Sequence, residues 1–255
     1  ISSQLDMDRM DYLKRDSFYS GVAEGNINSE RLIQMMNVQD DYLVIEEKGI
    51  YSVEKFLVAR RLMYWQAYLH KTSVVAELIL TKILKRAKEL TQKGNVLPCS
   101  EPLQFFLQNK ISLADFDKSV LDKFSYLDDY DVLGAIKAWQ FHDDFVLQSL
   151  CRMILNRDLL KIQMSDDKPN KENLLAIKNK YISIAKISEK EADYFVFKGK
   201  LKNQAYSKSS EPIRILKKDK TIEDVVEASD QLHLKALSKP VTKYFICFPK
   251  VVLES

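Results

Sequence analysis

The chain has 255 residues, which is enough for one large domain or two smaller ones. A hydrophobic fraction of 46% with only six glycines predicts a folded, helix-rich protein. The net charge of +3 is too small to indicate nucleic-acid binding on its own, and no apolar run approaches the roughly 20 residues that span a membrane.

Helical periodicity dominates the chain to about residue 185. Residues 5–19 form the first predicted helix, and Asn28 opens a second one. The stretch from Val53 to Lys93 contains no glycine or proline. It is therefore predicted to form two helices or one kinked helix, with a weak break at Thr72-Ser73.

The predicted strands are short. The run from Tyr42 to Glu46 is β-rich and precedes a turn at Lys48-Gly49, which predicts a hairpin arm near residues 40–50. After about residue 186 the helical pattern gives way to short β-rich runs with one helix between them: Tyr194 to Phe197, Ile213 to Leu216 and Tyr244 to Phe248.

The predicted fold class is mainly α. Residues 1–185 are predicted to form a helical domain that includes the hairpin arm, and residues 186–255 a small α+β C-terminal lobe. Lysines are frequent between residues 161 and 220. Such runs are usually solvated loops, and a polyanion site is the alternative that they leave open.

The most distinctive stretch of the sequence runs from Asp6 to Asp16. In a helix, Asp8, Tyr12 and Asp16 fall on nearly one line, and Arg9 lies on the neighbouring line. Such a group suits a metal-bound phosphorylated ligand, because carboxylates hold a cation or accept from a hydroxyl and arginine binds phosphate. A charged helix with internal ion pairs is the alternative, and the spacing alone favours it.

This stretch has the pattern D-x-D-R-x-D-Y-x-x-R-D over residues 6–16, with Gly21 beyond it. The pattern resembles the segment of HD-superfamily phosphohydrolases that carries the final aspartate of their H…HD…D metal motif. Within the superfamily it is similar to the dNTP triphosphohydrolases, including dGTPase-like bacterial enzymes and the SAM-and-HD-domain enzyme of animals. The resemblance implies that residues 1–185 are the C-terminal part of an HD-type helical domain.

The resemblance also implies roles for the matching residues. The second aspartate of the family pattern is the metal ligand, which assigns that role to Asp8. By the same resemblance Arg9 contacts phosphate, Tyr12 the deoxyribose and Asp16 the 3′-hydroxyl of the sugar. The implied cofactor is a divalent metal ion (Mn, Mg, Fe, Ni or Zn). No catalytic residue beyond the metal ligand is identified.

A second group of residues lies in the long predicted helical stretch. Arg60, Tyr64 and Tyr68 are four residues apart and share one helical face. Eight residues span about 12 Å at the helical rise, comparable with the sugar and phosphate chain of a nucleotide. The alternative is an aromatic stripe packed in a helical core, which we retain for Trp65.

This second group resembles the family pattern R-x-x-x-[HY]-x-x-x-Y-x-H-K. The resemblance implies that Arg60 binds the terminal phosphate, that Tyr64 lies near the phosphates and that Tyr68 lies against sugar and base. The animal enzyme has histidine in place of Tyr64, and tyrosine, with a pKa near 10, is a poorer acid at neutral pH. His70 and Lys71 match positions that help bind an activating nucleotide between subunits in regulated relatives.

The chain contains one His-Asp pair, His142-Asp143. It follows the Asp8 segment, whereas the family's pair precedes that segment, so we do not expect it to bind metal. Asp143 or Asp144 instead suits the N-cap of the next helix. The other three ligands of the motif are expected upstream, and this segment alone is expected to be inactive because one carboxylate cannot hold a catalytic metal.

The motifs together predict a metal-dependent HD phosphohydrolase that hydrolyses a dNTP to deoxynucleoside and tripolyphosphate. One alternative is an HD phosphohydrolase that acts on a nucleotide monophosphate or another phosphoester. Another is a non-catalytic nucleotide-binding or assembly module. The resemblance implies a homo-oligomer, no membrane partner is expected, and nucleic acid is left open as a minor alternative partner.

The cysteines bear on the cellular compartment. Cys99, Cys151 and Cys247 are far apart, odd in number and without CxxC spacing. This arrangement argues against a cysteine-based zinc site and fits a reducing cytosol. We therefore expect a cytoplasmic protein.

Overall fold

The computed structural model describes residues 3–207, 212–230 and 239–254. It is mainly helical with short strands, which confirms the predicted fold class. The helices, in chain order, are α1 (Met7–Ser20), α2 (Ser29–Gln34), α3 (Ile50–Met63), α4 (Lys71–Gln92), α5 (Glu101–Gln108), α6 (Lys118–Ser125), α7 (Asp129–Trp139), α8 (Phe145–Leu155), α9 (Lys171–Ala185), α10 (Glu189–Phe195), α11 (Val225–Ala228) and α12 (Val251–Glu254).

Strands and short turns connect these helices. Three-residue 3-10 turns cover Ala23–Gly25, Glu47–Gly49 and Leu113–Asp115, and a π-helical turn covers Tyr64–Tyr68. The strands are β1 (Met36–Gln39), β2 (Tyr42–Glu46), β3 (Lys161–Ser165), β4 (Phe197–Asn203), β5 (Arg214–Leu216), β6 (Ile222–Asp224) and β7 (Val241–Phe248).

The chain divides into two compact units. The first contains residues 1–70 and 200–243, and the second contains residues 71–199 and 244–255. The predicted boundary after residue 185 therefore lies inside the second unit. The reason is that β5 pairs with β2 and so carries part of the predicted C-terminal lobe into the first unit.

Helix α1 begins and ends close to the predicted positions. The Asp6 side chain caps its first turn by accepting a hydrogen bond from the Arg9 backbone N–H at 2.7 Å. Gly21 ends the helix in the left-handed conformation, with φ of 71°, which glycine adopts without strain. Met10 and Leu13 lie on the buried face, Tyr12 packs partly buried against the edge of the core, and Asp11 is exposed.

The first unit contains a four-stranded sheet of order β1-β2-β5-β6. Strands β1 and β2 form an antiparallel hairpin, and its turn residues Asp40 and Asp41 have φ of 52° and 61°. Lys48-Gly49 lie in a turn, as predicted, but it is the 3-10 turn before α3 and not the turn of the hairpin. Strands β2 and β5 pair in parallel, with Val44 opposite Arg214.

Helices and sheet share one hydrophobic core in the first unit. Side chains with no exposed surface come from α1, α2, α3 and β5: Leu13, Leu32, Phe56, Leu57, Met63 and Ile215. Because α1 and α3 bury side chains in the same core, their outer faces are held in a fixed relation. The 3-10 turn at Ala23–Gly25 packs closely between these two helices, as shown by the surroundings of Gly25.

The second unit is built around the long helix α4. Its buried residues recur at three- and four-residue spacing: Val74, Val75, Ile79, Ile83, Ala87 and Leu90. Trp139 is fully buried, and its indole N–H donates to the carbonyl of Pro98 at 3.0 Å. Within this unit, β3 pairs antiparallel with residues 244–248 of β7, with Ile162 opposite Cys247. Among the described helices, none is both long and apolar enough to cross a membrane.

The predicted break in the long helical stretch is displaced. Helix α3 ends at Met63, the π-helical turn follows, and α4 begins at Lys71. The interruption therefore lies at Leu69-His70, just before the predicted break at Thr72-Ser73. The π turn takes the place of a further turn of α3. No glycine or proline in the sequence marks this position.

We expect Gly25→Ala to destabilise the first unit. An added Cβ would lie 2.6 Å from Met63 Sδ and 2.8 Å from Ser17 Cβ, inside a packed core. The expected loss in the free energy of unfolding is about 1–3 kcal/mol, measured by urea denaturation. Gly134→Ala is the matched control, because no atom lies within 4 Å of an added Cβ there. Equal stability of the Gly25 variant and the wild type would contradict the close packing.

Candidate functional site

Most of the predicted nucleotide-binding residues lie together in the first unit. Tyr12 and Asp16 come from α1, and Tyr68 comes from the π turn. The Tyr68 hydroxyl donates to Asp16 Oδ2 at 2.8 Å. The rings of Tyr12 and Tyr68 meet edge to face, with centroids 6.0 Å apart and planes at 77°. The two sequence motifs therefore form one continuous surface.

Arg60 joins this surface from the last turn of α3. Its Nη1 donates to the backbone carbonyl of Ala205 at 3.0 Å, and its Cζ lies 5.6 Å from the centre of the Tyr64 ring. The positive charge of Arg60 also acts on the Tyr12 side chain and opposes the rise in its pKa that burial causes. Its Nε is buried and has no hydrogen-bond partner among the described residues.

The π turn sets the positions of the two tyrosines that it contains. The Leu69 backbone N–H donates to the carbonyl of Tyr64, five residues earlier, at 2.6 Å. The rings of Tyr64 and Tyr68 pack edge to face with centroids 5.2 Å apart. Side chains four residues apart therefore remain on one face, although the helix is widened here. Single π turns of this kind occur often at functional sites.

Burial controls the protonation of the two tyrosines that contact each other across the site. Burial raises the pKa of Tyr12, and the positive charges of Arg60 and Arg9 oppose that rise. Burial also raises the pKa of Tyr68, and the hydrogen bond to Asp16 adds to the rise. Both phenols are therefore neutral at physiological pH. The Tyr12 hydroxyl can donate to a sugar or phosphate oxygen, whereas the Tyr68 hydroxyl donates to Asp16 and can accept from a ligand.

The predicted metal ligand lies at the start of α1. Asp8 is exposed in the first turn, where no described residue forms an ion pair with it. The neighbouring Arg9 is partly buried, and its Nε donates to Asp6 Oδ2 at 3.3 Å. No group of three or more His, Cys, Asp or Glu that could hold a metal ion occurs within the described ranges. The carboxylate of Asp8 fits one ligand of a shared set, and it does not form a metal site by itself.

The two predicted effector residues are not part of this surface. His70 is exposed directly after the π turn. Lys71 begins α4 in the second unit and lines a cavity of about 580 Å³ together with Lys161 and Lys168. The lysines give this cavity a positive lining, which is compatible with an anionic ligand.

The His-Asp pair has a structural role in the second unit. His142 Nδ1 accepts a hydrogen bond from the backbone N–H of Asp144 at 2.9 Å. Asp144 caps α8 through Leu147 N and pairs with Arg86 through Nε–Oδ1 and Nη2–Oδ2 contacts of 3.0 and 2.5 Å. The arginine lowers the pKa of Asp144 against the opposing effect of burial. The predicted N-cap at this position is confirmed for Asp144.

Nothing in the sequence pattern indicated that Ala205, Ser207 or Gln4 would lie beside the site. The Ala205 carbonyl holds Arg60, and Ser207 exchanges hydrogen bonds with Gln4, just before α1. A backbone carbonyl is available at every residue, so composition and spacing do not identify the one that is used. Only the pairing of strands distant in sequence brings this segment to Arg60.

Comparison with known proteins adds a family context. Residues 27–97 match the family model described as "HD associated region". The chain is 41% identical over 174 residues to the uncharacterized protein YwfO of Bacillus subtilis, covering 68% of this chain and 38% of YwfO. It is 26% identical over 103 residues, covering 40% of this chain and 20% of the relative, to the deoxynucleoside triphosphate triphosphohydrolase SAMHD1 homolog of Dictyostelium discoideum.

A solved structure gives a similar context. A phosphohydrolase from Bacteroides thetaiotaomicron superposes with a TM-score of 0.89 and 46% identity, over 97% of this chain and 62% of that protein. The chain thus spans about two fifths of YwfO and less than two thirds of this phosphohydrolase. These matches support the predicted HD phosphohydrolase superfamily, and they do not single out the dNTP triphosphohydrolases within it.

Tyr68→Phe removes the hydrogen bond to Asp16 and should lower the free energy of unfolding by about 0.5–1.5 kcal/mol at neutral pH. Because the pKa of Tyr68 is raised in the folded state, its contribution is complete below the ordinary tyrosine pKa of about 10 and is lost as the pH rises above it. The stability difference between wild type and variant should therefore narrow in alkaline solution.

Urea denaturation between pH 7 and pH 11 measures this effect. Tyr19→Phe is the matched control, because Tyr19 lies on the same helix and is 80% exposed. The control should match the wild type over this range. A difference between Tyr68→Phe and wild type that does not change with pH would contradict the assigned hydrogen bond.

Proposed function

We propose that this chain is part of an HD-superfamily phosphohydrolase that hydrolyses a dNTP to deoxynucleoside and tripolyphosphate. The observation that carries the proposal is the hydrogen bond between Tyr68 and Asp16, which joins the two motifs into one surface with Arg60 at its side. The similarity to a solved phosphohydrolase supports the reaction class. The weaker similarity to a deoxynucleoside triphosphate triphosphohydrolase supports the substrate.

The residues divide the substrate into a sugar part and a phosphate part. Tyr12 lies beside the pair of Tyr68 and Asp16, and this polar and aromatic corner suits a deoxyribose whose 3′-hydroxyl donates to Asp16. Arg60 and Arg9 supply positive charge for the triphosphate, because a guanidinium matches phosphate oxygens in geometry and charge. Tyr64, stacked against Arg60, donates toward the same oxygens.

A divalent metal ion would complete the site. When bound, it polarises a phosphoryl oxygen and lowers the pKa of a water molecule. Asp8 would hold the ion together with the histidine and the His-Asp pair that the family resemblance implies. The role of Arg60 and Arg9 is then to neutralise and orient the phosphates, and the role of Tyr12, Asp16 and Tyr68 is to hold the sugar.

The second candidate is a different phosphohydrolase, acting on a nucleotide monophosphate or another phosphoester. Two arginines whose charges both act on Tyr12 favour a polyphosphate over these substrates. A non-catalytic nucleotide module is the third candidate, and an intact H…HD segment in the full-length protein would argue against it.

We further propose, from the family resemblance, that the protein is a homo-oligomer in the cytosol. By the same resemblance, His70 and Lys71 contribute to an effector site.

The test of substrate uses the full-length protein with Mn²⁺ or Mg²⁺. We expect tripolyphosphate to be released from at least one dNTP, as measured by anion-exchange chromatography. Because Asp16 is assigned to the 3′-hydroxyl, the matching 2′,3′-dideoxynucleotide should react about tenfold or more slowly. Turnover of monophosphates alone would support the second candidate, and no turnover of any nucleotide would contradict both enzymatic proposals.

Asp8→Asn tests the metal ligand. The substitution removes the negative charge from an exposed side chain, so we expect a loss of kcat of about a hundredfold or more with little change in melting temperature. Asp11→Asn is the control on the same helix, because Asp11 is exposed and pairs with Arg15 on the surface. It should retain activity within about twofold. Full activity of Asp8→Asn would show that the ligand assignment is wrong.

A further inference from the structure

A short buried segment, Ala205–Ser207, lies between Arg60 and the start of α1. Ala205 and Tyr206 have almost no exposed surface. The Ala205 carbonyl accepts from Arg60 Nη1 at 3.0 Å. The segment belongs to the same compact unit as α1 and α3 although nearly 150 residues of sequence separate it from Arg60. How this segment is held therefore determines where the Arg60 guanidinium lies.

Gln4 holds one end of the segment. Its Nε2 donates to the Ser207 carbonyl at 2.6 Å, and its Oε1 accepts from the Ser207 backbone N–H at 2.7 Å. Gln4 is only 8% exposed, so these bonds are shielded from competing water. An amide that donates and accepts at one residue fixes both the distance and the rotation of that backbone.

Tyr206 holds the middle of the segment. Its hydroxyl donates to the carboxylate of Asp224 and accepts from the backbone N–H of Ile213 at 3.1 Å. Asp224 in turn caps α11 through Val226 N. The Ala205 carbonyl is thus fixed on the side of β5 and β6 by Tyr206 and on the side of α1 by Gln4.

Arg60 depends on this carbonyl for its orientation. The guanidinium is planar, so the bond from Nη1 to Ala205 and the contact of Cζ with the Tyr64 ring limit the directions in which the remaining N–H groups point. The buried Nε finds no partner among the described residues. An arginine held in this way offers its free donors in one fixed direction, which suits bidentate binding of a phosphate.

We propose that Gln4 is a positioning residue for Arg60, acting through Ser207 and the Ala205 carbonyl to hold the guanidinium ready for the triphosphate. The inference rests on the proposed function of Arg60 as the phosphate-binding residue. It adds a residue that touches neither substrate nor metal, and that lies just before the metal-ligand motif. The N-terminal end of α1 and the phosphate-binding arginine are thereby set by one hydrogen-bonded link.

The test is a double-mutant cycle on the full-length protein. The probe is inorganic tripolyphosphate, and its dissociation constant is measured by calorimetry in the presence of Mg²⁺. Gln4→Ala should weaken binding about five- to tenfold, and Arg60→Lys about tenfold or more. If Gln4 acts through Arg60, the double variant should bind about as weakly as Arg60→Lys alone.

Two further variants distinguish a loss of tripolyphosphate binding from a loss of folding stability. Gln34→Ala is the control, because Gln34 is an exposed glutamine in the same unit, and it should bind tripolyphosphate like the wild type. Gln4→Met keeps the approximate size of the side chain and removes both of its polar atoms without adding a charge. It should weaken tripolyphosphate binding with a smaller change in melting temperature than Gln4→Ala.

The outcomes separate this inference from the proposed function. If Arg60→Lys leaves tripolyphosphate binding unchanged, the phosphate role of Arg60 and the proposed function fail together. If Arg60→Lys weakens binding but both Gln4 variants bind like the wild type, only the positioning role is overturned. The positioning role would also be overturned if the fold losses in tripolyphosphate affinity of the two single variants multiplied in the double variant. Independent losses would show that Gln4 does not act through Arg60.

Discussion

The parallel pairing of β2 with β5 is the constraint on which the first unit depends. A parallel pair cannot be closed by a tight turn, so its two strands must come from separate parts of the chain. Ile45 and Ile215 face each other in this register and are almost completely buried. By anchoring β5 beside β2, the pairing brings the preceding segment against α1 and α3. The contact between Ala205 and Arg60 follows from that placement.

The second constraint is the close approach of α1 to the end of α3. Gly25 leaves no room for a side chain between these helices, and Met63 fills the space beside it. One residue beyond Met63 the helix widens into the π turn, which turns Tyr68 toward Asp16. Tight packing below the surface and a widened turn above it thus generate the corner to which we assign the sugar.

The sequence predicted local features well and long-range ones poorly. The start and the end of α1 and the cap of α8 each depend on residues within one turn, and each lies close to its predicted position. The turn of the hairpin lies at Asp40 and Asp41, which adopt the left-handed conformation, and not at Lys48-Gly49. The compact units differ from the predicted division at residue 185 because strand pairing between distant segments, which local pattern does not reveal, joins β5 to the first unit.

In the candidate site, too, the sequence predicted local features and not the contacts between distant segments. Four-residue spacing placed Arg60, Tyr64 and Tyr68 on one face, but it carried no information on which element would face them. The structure places Tyr12 against that face. It also leaves Arg60 Nε buried without a partner in the described part of the chain, and an unmet buried donor costs about 1–3 kcal/mol.

A phosphate oxygen within reach of Arg60 Nε would remove this cost. Binding energy at such a donor is large because water does not compete for it in the free protein. The same reasoning explains the well-fixed surroundings of Arg60, since a mobile guanidinium would turn its Nε to solvent and lose the advantage. The bond to Ala205 is therefore part of the phosphate-binding site that we propose, although Ala205 carries no positive charge.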